Sequence, residues 1–230
     1  MIISPAEFQI SVRGWQYQHW QPQFYPEDLP VDWWFSYFSN EFGCVLVPTE
    51  TLRDSSTEQV ETWAEDCSAH FEFYVEVTQD TDWEHIKAKI QVLANQLAGI
   101  LIVGGDAVAE NKDINKVRLA ALISHLIKFA PVFVAKEVIV NIDIRKFTRC
   151  DNVLGYISDI DDLSPGWAQE LNSTIVLINS KGIHDAKNLR KMLESCLLID
   201  SLVVYSLFFA GVAPKIEDLR TSLMIYEMLI

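Results

Sequence analysis

Phe8-Gln9-Ile10-Ser11-Val12-Arg13 alternates between apolar and polar side chains, then runs into Gly14-Trp15-Gln16-Tyr17-Gln18-His19-Trp20 and Phe24-Tyr25-Pro26. A period of two marks a β-strand with one apolar face. This strand ends in a glycine and opens onto an aromatic loop. The pattern returns in Phe71 to Thr78, where Phe71, Phe73, Val75 and Val77 point one way and Glu72, Tyr74, Glu76 and Thr78 the other. It returns again in Val138 to Ile144, with Ile139, Asn141, Asp143 and Arg145 opposite the apolar set. Strands of an open parallel sheet, buried on both sides, should be apolar nearly throughout. Strands with an apolar face toward helices and a polar face toward a lumen suit a barrel.

The remaining chain supplies the repeats that a barrel needs. Further strands are expected at Cys44 to Pro48, Gly99 to Val103, Asn152 to Ile157, Thr174 to Asn179 and Leu202 to Leu207. Helical spacing is expected over Asp32 to Glu41, Thr57 to Asp66, Trp83 to Leu97 and Asp113 to Ala130. It is expected again in a short helix after Ser164-Pro165, over Asp185 to Leu197, and over Lys215 to Met228. Trp33, Trp34, Tyr37 and Phe38 would form one aromatic helix face. Strand-helix alternation argues a parallel sheet with crossover helices. The expected fold is α/β: a TIM-like (β/α) barrel of seven to eight parallel strands with an outer helix ring. A doubly wound open sheet is the runner-up. No Pro/Gly/Ser-rich linker divides the chain, so residues 1–230 are read as a single domain.

A formal net charge of -14 argues against nucleic acid and against anionic membranes as partners. Cys44, Cys67, Cys150 and Cys196 form no C-x-x-C pair and no metal-ligand spacing with a histidine. A reduced, cytoplasmic chain fits them, and residues 1–7 lack the features of a secretory signal. No apolar run reaches the roughly 18 residues needed to span a membrane. Neither a metal nor a cofactor is expected. Gly104-Gly105-Asp106 lacks the dinucleotide-binding spacing, and Asp159, Asp161 and Asp162 read as a solvated acidic loop.

Barrel sites lie at the carboxyl ends of the strands. The polar residues expected there are Arg13, Thr49, Glu50, Glu76, Thr78, Asp106, Asp143, Arg145, Asn179 and Lys181. They can hold a small polar or anionic ligand, or do acid-base work with paired carboxylates. They can also neutralise one another, with Arg13/Glu76 and Asp143/Arg145 offering opposite signs. Glu76, Asp143 and Arg145 are the candidate catalytic set. Arg13, Trp15, Tyr17, Asn179 and Lys181 are the candidate ligand-binding set. Five rings between Trp15 and Tyr25 cannot all be solvated, so most should pack, with Trp15 and Tyr17 nearest the lumen.

The opening stretch resembles the YecE-like family, also called domain of unknown function 72, whose members carry G-x-S-G-W-x-Y-x-x-W and then F-Y-P. The resemblance continues through Trp33, Tyr37, Phe42, Trp63 and Phe71-Glu72-Phe73. It implies a TIM-like barrel of unestablished activity, for which a nucleic-acid role has been suggested by fold analogy. The chain departs from the family pattern elsewhere. Val45-Leu46-Val47-Pro48-Thr49-Glu50 stands where V-E-I-N-S-T is usual, and Glu76 stands where a lysine ends strand three. Val103-Gly104-Gly105-Asp106 replaces Q-x-P-P, and Asn179-Ser180-Lys181-Gly182 replaces R-x-H-G. Arg13 replaces the small serine of the opening motif. Asp143-Ile144-Arg145 keeps the E-F-R character. The expectation is a divergent member that binds a small ligand or serves as an accessory protein. The alternatives are a hydrolase or lyase using Glu76, Asp143 and Arg145, and nucleic-acid processing, which the charge disfavours.

Overall fold

The computed structural model describes residues 8–104, 112–135, 153–157, 173–178, 185–197 and 203–230. Its centre is one sheet of eight parallel strands. In chain order these are β1 Gln9–Val12, β2 Cys44–Val47, β3 Glu72–Thr78, β4 Leu97–Val103, β5 Val132–Ala135, β6 Val153–Ile157, β7 Ser173–Ile178 and β8 Val203–Phe209. The hydrogen-bonded order runs β1-β8-β7-β6-β5-β4-β3-β2. Arg13 and Leu46 then form a parallel bridge that joins β1 back to β2 and closes the barrel. The Gly14 N–H donates to the Leu46 carbonyl at 2.8 Å, and the Ser11 hydroxyl donates to the Cys44 carbonyl at 2.5 Å. Gly14 holds φ at +80°, a left-handed conformation that a side chain would strain.

The helices are α1 Trp34–Ser39, α2 Thr49–Asp54, α3 Thr57–Asp66, α4 Trp83–Leu93, α5 Lys112–Leu126, α6 Ala186–Leu197 and α7 Ile216–Leu229. Ser56 and Gln59 exchange side chain-to-backbone hydrogen bonds in a capping box, which sets the start of α3 at the expected residue. Asp82 caps α4 with a single bond, its carboxylate accepting from the Glu84 N–H.

The structure departs from expectation at α1, at β5 and in the added helix α2. The aromatic helix face is Trp34, Phe35 and Phe38, which are buried, whereas Trp33 is 64% exposed and Tyr37 39%. The α-helix begins only at Trp34, after a 3-10 turn over Val31–Trp33, and this rotates the buried stripe. The strand between β4 and β6 is Val132–Ala135, directly after the Pro131 that ends the α5 segment. Sequence reading missed it because four buried residues in a row carry no alternation. The strand expected over Val138 to Ile144 lies outside the described residues, as does the short helix expected after Ser164-Pro165. Helix α2 was not anticipated.

The apolar faces of β1 and β3 pack outward, as the alternation demands. The lumen-facing positions are less polar than β1 and β3 alone suggest. Register carries Tyr74 and Glu76 across to Leu46, Gly99, Leu101 and Phe133, and these apolar residues are fully buried. The lumen is therefore a packed core with polar insertions. The Tyr74 hydroxyl sits 2.8 Å from the buried Ser206 hydroxyl, which donates to it. The Tyr74 ring fits because Gly99 faces it: a Cβ there would lie 2.8 Å from Tyr74 Cδ1 and 3.2 Å from Phe133 Cε2.

Candidate functional site

The aromatic loop after β1 is mostly structure. Trp15 is 1% exposed, and its indole meets Phe35 and Trp63 edge-on, both at 4.9 Å between centroids. The Tyr25 hydroxyl donates to the Trp15 carbonyl at 2.7 Å, while its ring stacks on Trp34 at 4.6 Å. The Trp20 indole N–H donates to the Pro214 carbonyl at 2.9 Å and ties the loop to the segment before α7. Trp15 borders the cavity beside Arg13 and Tyr17, but its ring is buried between the sheet and the helices and offers little surface there. Tyr17 does remain at the mouth. Its hydroxyl donates to the Arg13 carbonyl, and burial pushes its pKa up to about 12.

Arg13 and Trp15 diverge because Gly14 turns the chain between them. Arg13 continues the lumen face of β1, beyond Ser11, and reaches the carboxyl end of β3. There it donates twice to Glu76, from Nε to Oε2 and from Nη2 to Oε1, both at 2.8 Å. The Glu76 side chain is 8% exposed. Sequence reasoning brought this pair together from its signs and its faces. Glu50 was expected at the mouth but not in this pair: on the first turn of α2, it accepts from Nη1 at 3.0 Å and Nη2 at 2.9 Å. Thr49 completes the cluster by donating to the Glu76 backbone carbonyl at 3.1 Å and to Oε1 at 3.2 Å. The signal for α2 was present in Pro48-Thr49-Glu50, a proline before an acidic first turn, where helix starts are favoured.

The electrostatics follow from that geometry. Burial works against the charge on Arg13, but the hydrogen bonds and charge of Glu76, then those of Glu50, outweigh it. The guanidinium is held above its ordinary pKa. Burial raises the Glu50 carboxyl, and the hydrogen bond and charge of Arg13 more than reverse this, so its pKa lies below the usual carboxylate range. Two carboxylates against one guanidinium leave the cluster negative. An anionic ligand thus finds no free cation in Arg13.

The cluster stands between two cavities. One, of about 410 Å³, is lined by Arg13, Tyr17, Glu50 and the Ala210–Val212 turn. The other, of about 530 Å³, is lined by Glu76, Thr49, Thr78 and residues of α2 and α4, among them Lys89. Lys89 is 8% exposed, and its ammonium donates to the Leu52 carbonyl at 2.6 Å and the Arg53 carbonyl at 3.0 Å, the free end of α2. Burial lowers its pKa, and Asp54 partly offsets this. Lys89 was legible as a charge on the Ile86-Ile90-Leu93 stripe but was not singled out.

Of the other sequence candidates, Asp143, Arg145, Asn179, Lys181 and Asp106 lie outside the described residues, as does the acidic loop Asp159 to Asp162. Among the described residues no group of three or more His, Cys, Asp or Glu is placed to hold a metal ion. No described helix is long and apolar enough to cross a membrane.

The model of a family described as protein of unknown function, DUF72, matches residues 9–123, half of the chain. The chain belongs to that family. A DUF72 protein from Enterococcus faecalis has a similar structure, with a TM-score of 0.63 and 12% identity over 96% of this chain and 95% of that one. A DUF72 protein from Thermotoga maritima gives 0.60 and 11%, covering 96% and 98%. Phosphoribosyl anthranilate isomerase from Thermus thermophilus gives 0.53 and 13%, covering 97% and 100%. At these identities the likeness is one of fold, and the fold is a TIM-like barrel. No curated protein matches the chain.

Proposed function

We propose that this chain is a cytoplasmic, ligand-binding or accessory member of the DUF72 family, built as a single domain and lacking acid-base catalysis at Glu76. One observation carries the reading: the charged groups of the Arg13–Glu76–Glu50 cluster are spent on one another. Glu76 accepts two hydrogen bonds from Arg13 and one from Thr49, so its carboxylate oxygens are engaged within the protein rather than presented to a substrate. Arg13 is likewise engaged by two carboxylates and is unavailable to an incoming anion. Beside that cluster, in the cavity lined by Arg13 and Glu50, a neutral or cationic ligand is better suited than the anionic one that the sequence allowed. The cysteines described, Cys44, Cys67 and Cys196, are free thiols, which supports a reducing compartment. The net charge of -14 supports the absence of a nucleic-acid partner.

The second reading is a hydrolase or lyase in which Glu76 works with Asp143 and Arg145. The position of Glu76 at the carboxyl end of β3, where barrel enzymes keep their chemistry, favours it. A metabolite thermal-shift screen, run beside a panel of chromogenic ester, glycoside and phosphoester substrates, separates the two. The binding reading expects stabilising ligands and no turnover. Turnover that Glu76→Gln abolishes, with its melting temperature kept, would show that the enzyme reading is right.

A further inference from the structure

We infer that the cavity on the Glu76 side of the mouth binds a small zwitterion: one carboxylate and one primary ammonium joined by a short apolar chain. This names a ligand class and rests on the reading of the chain as a binding protein. The cavity measures about 530 Å³, within the size range of small-molecule sites. Leu52, Val77 and Ile86 give it apolar surface. Its charges come from Arg53 on α2, Lys89 on α4, Asp80 and Asp82 before α4, and Glu76 on β3, which Arg13 already pairs. Arg53 and Lys89 meet at the end of α2, where the Lys89 ammonium lies 3.0 Å from the Arg53 carbonyl. Asp80 and Asp82 belong to the turn between β3 and α4.

Unspent capacity remains at both ends. Lys89 uses two of its three ammonium hydrogens on the carbonyls of Leu52 and Arg53. Arg53 gives Nε and Nη2 to Asp54, and Nη1 has no partner among the described residues. Asp82 is engaged by the Glu84 N–H and by His85. Asp80 has no hydrogen bond or ion pair among the described residues. A simple anion would pair with Arg53 and Lys89 but lie in the field of Asp80 and Asp82. A simple cation would meet the reverse problem. A molecule bearing both charges, its chain laid on Leu52, Val77 and Ile86, satisfies both ends at once.

Isothermal titration calorimetry with 4-aminobutanoate, 5-aminopentanoate and 6-aminohexanoate tests this, with hexanoate and hexylammonium as the single-charge controls. At least one amino acid of the series should bind saturably, about tenfold or more tighter than either control. Asp80→Asn and Arg53→Gln, both at exposed side chains, should each weaken it about tenfold and leave the melting temperature unchanged. The inference is overturned if no member of the series binds, if a control binds equally well, or if both variants bind like the wild type. In that event, stabilising metabolites unaffected by Asp80→Asn would leave the broader binding reading intact. Silence in both experiments would remove both.

Discussion

Arg13 and Trp15 are two residues apart, and the regions they enter obey different rules. Trp15 passes into a layer of rings between sheet and helices, where Phe35, Trp63, Phe71 and Phe73 pack edge-on or stacked. Such contacts need only shape, and each ring tolerates several neighbours. Arg13 passes into a knot of charges where every group needs a partner of opposite sign at hydrogen-bond distance. The ring layer can therefore retain an opening motif while the mouth beside it is rebuilt. In the mouth, Arg13 has meaning only together with Glu76 and Glu50. A motif in the first region is good evidence of fold and poor evidence of activity.

The largest expected effect falls on the ring layer. Trp15→Ala should cost about 4 kcal/mol, as removal of a fully buried aromatic does. The cost should be nearly the same at pH 5 and pH 8, because no titrating group is orphaned. A urea melt at both values checks it, and a loss under about 1 kcal/mol, or one that changes strongly with pH, would mean that the ring layer and the mouth do not differ in this way.

Next comes the knot. Arg13→Ser leaves Glu76 buried without its cation and should cost about 3 kcal/mol. Adding Glu76→Gln to that variant should recover part of the loss, since the orphaned charge is then gone. A wild-type melting temperature for Arg13→Ser would mean that the pair does not hold the mouth together.

The smallest effect concerns the outer arm. The Glu50 side chain is 53% exposed, so Glu50→Gln should cost under about 1 kcal/mol, and less in high salt. Its folded pKa is depressed, so the folded state binds fewer protons than the unfolded one in that range. The contribution is complete above the unfolded value of about 4.3 and fades as pH falls through the folded value. Wild type and Glu50→Gln should therefore converge in stability on acidification. A gap that widens toward low pH would contradict the assignment.

The sequence by itself determined the repeating strand-helix order, because alternation and helical spacing are local patterns that burial must respect. It offered the Arg13–Glu76 pairing as one option, since both residues fall on lumen-side positions with opposite signs, and the structure makes the contact. Tertiary structure alone decided where β5 lies, because Val132–Ala135 is buried on both faces and shows no period. It also decided that Glu50 joins Arg13, since Pro48-Thr49-Glu50 signals a helix start but not which neighbour its first turn meets. The fate of Trp15 was decided in the same way. One glycine with φ at +80° sends it out of the lumen and into the ring layer, leaving Arg13 alone at the mouth.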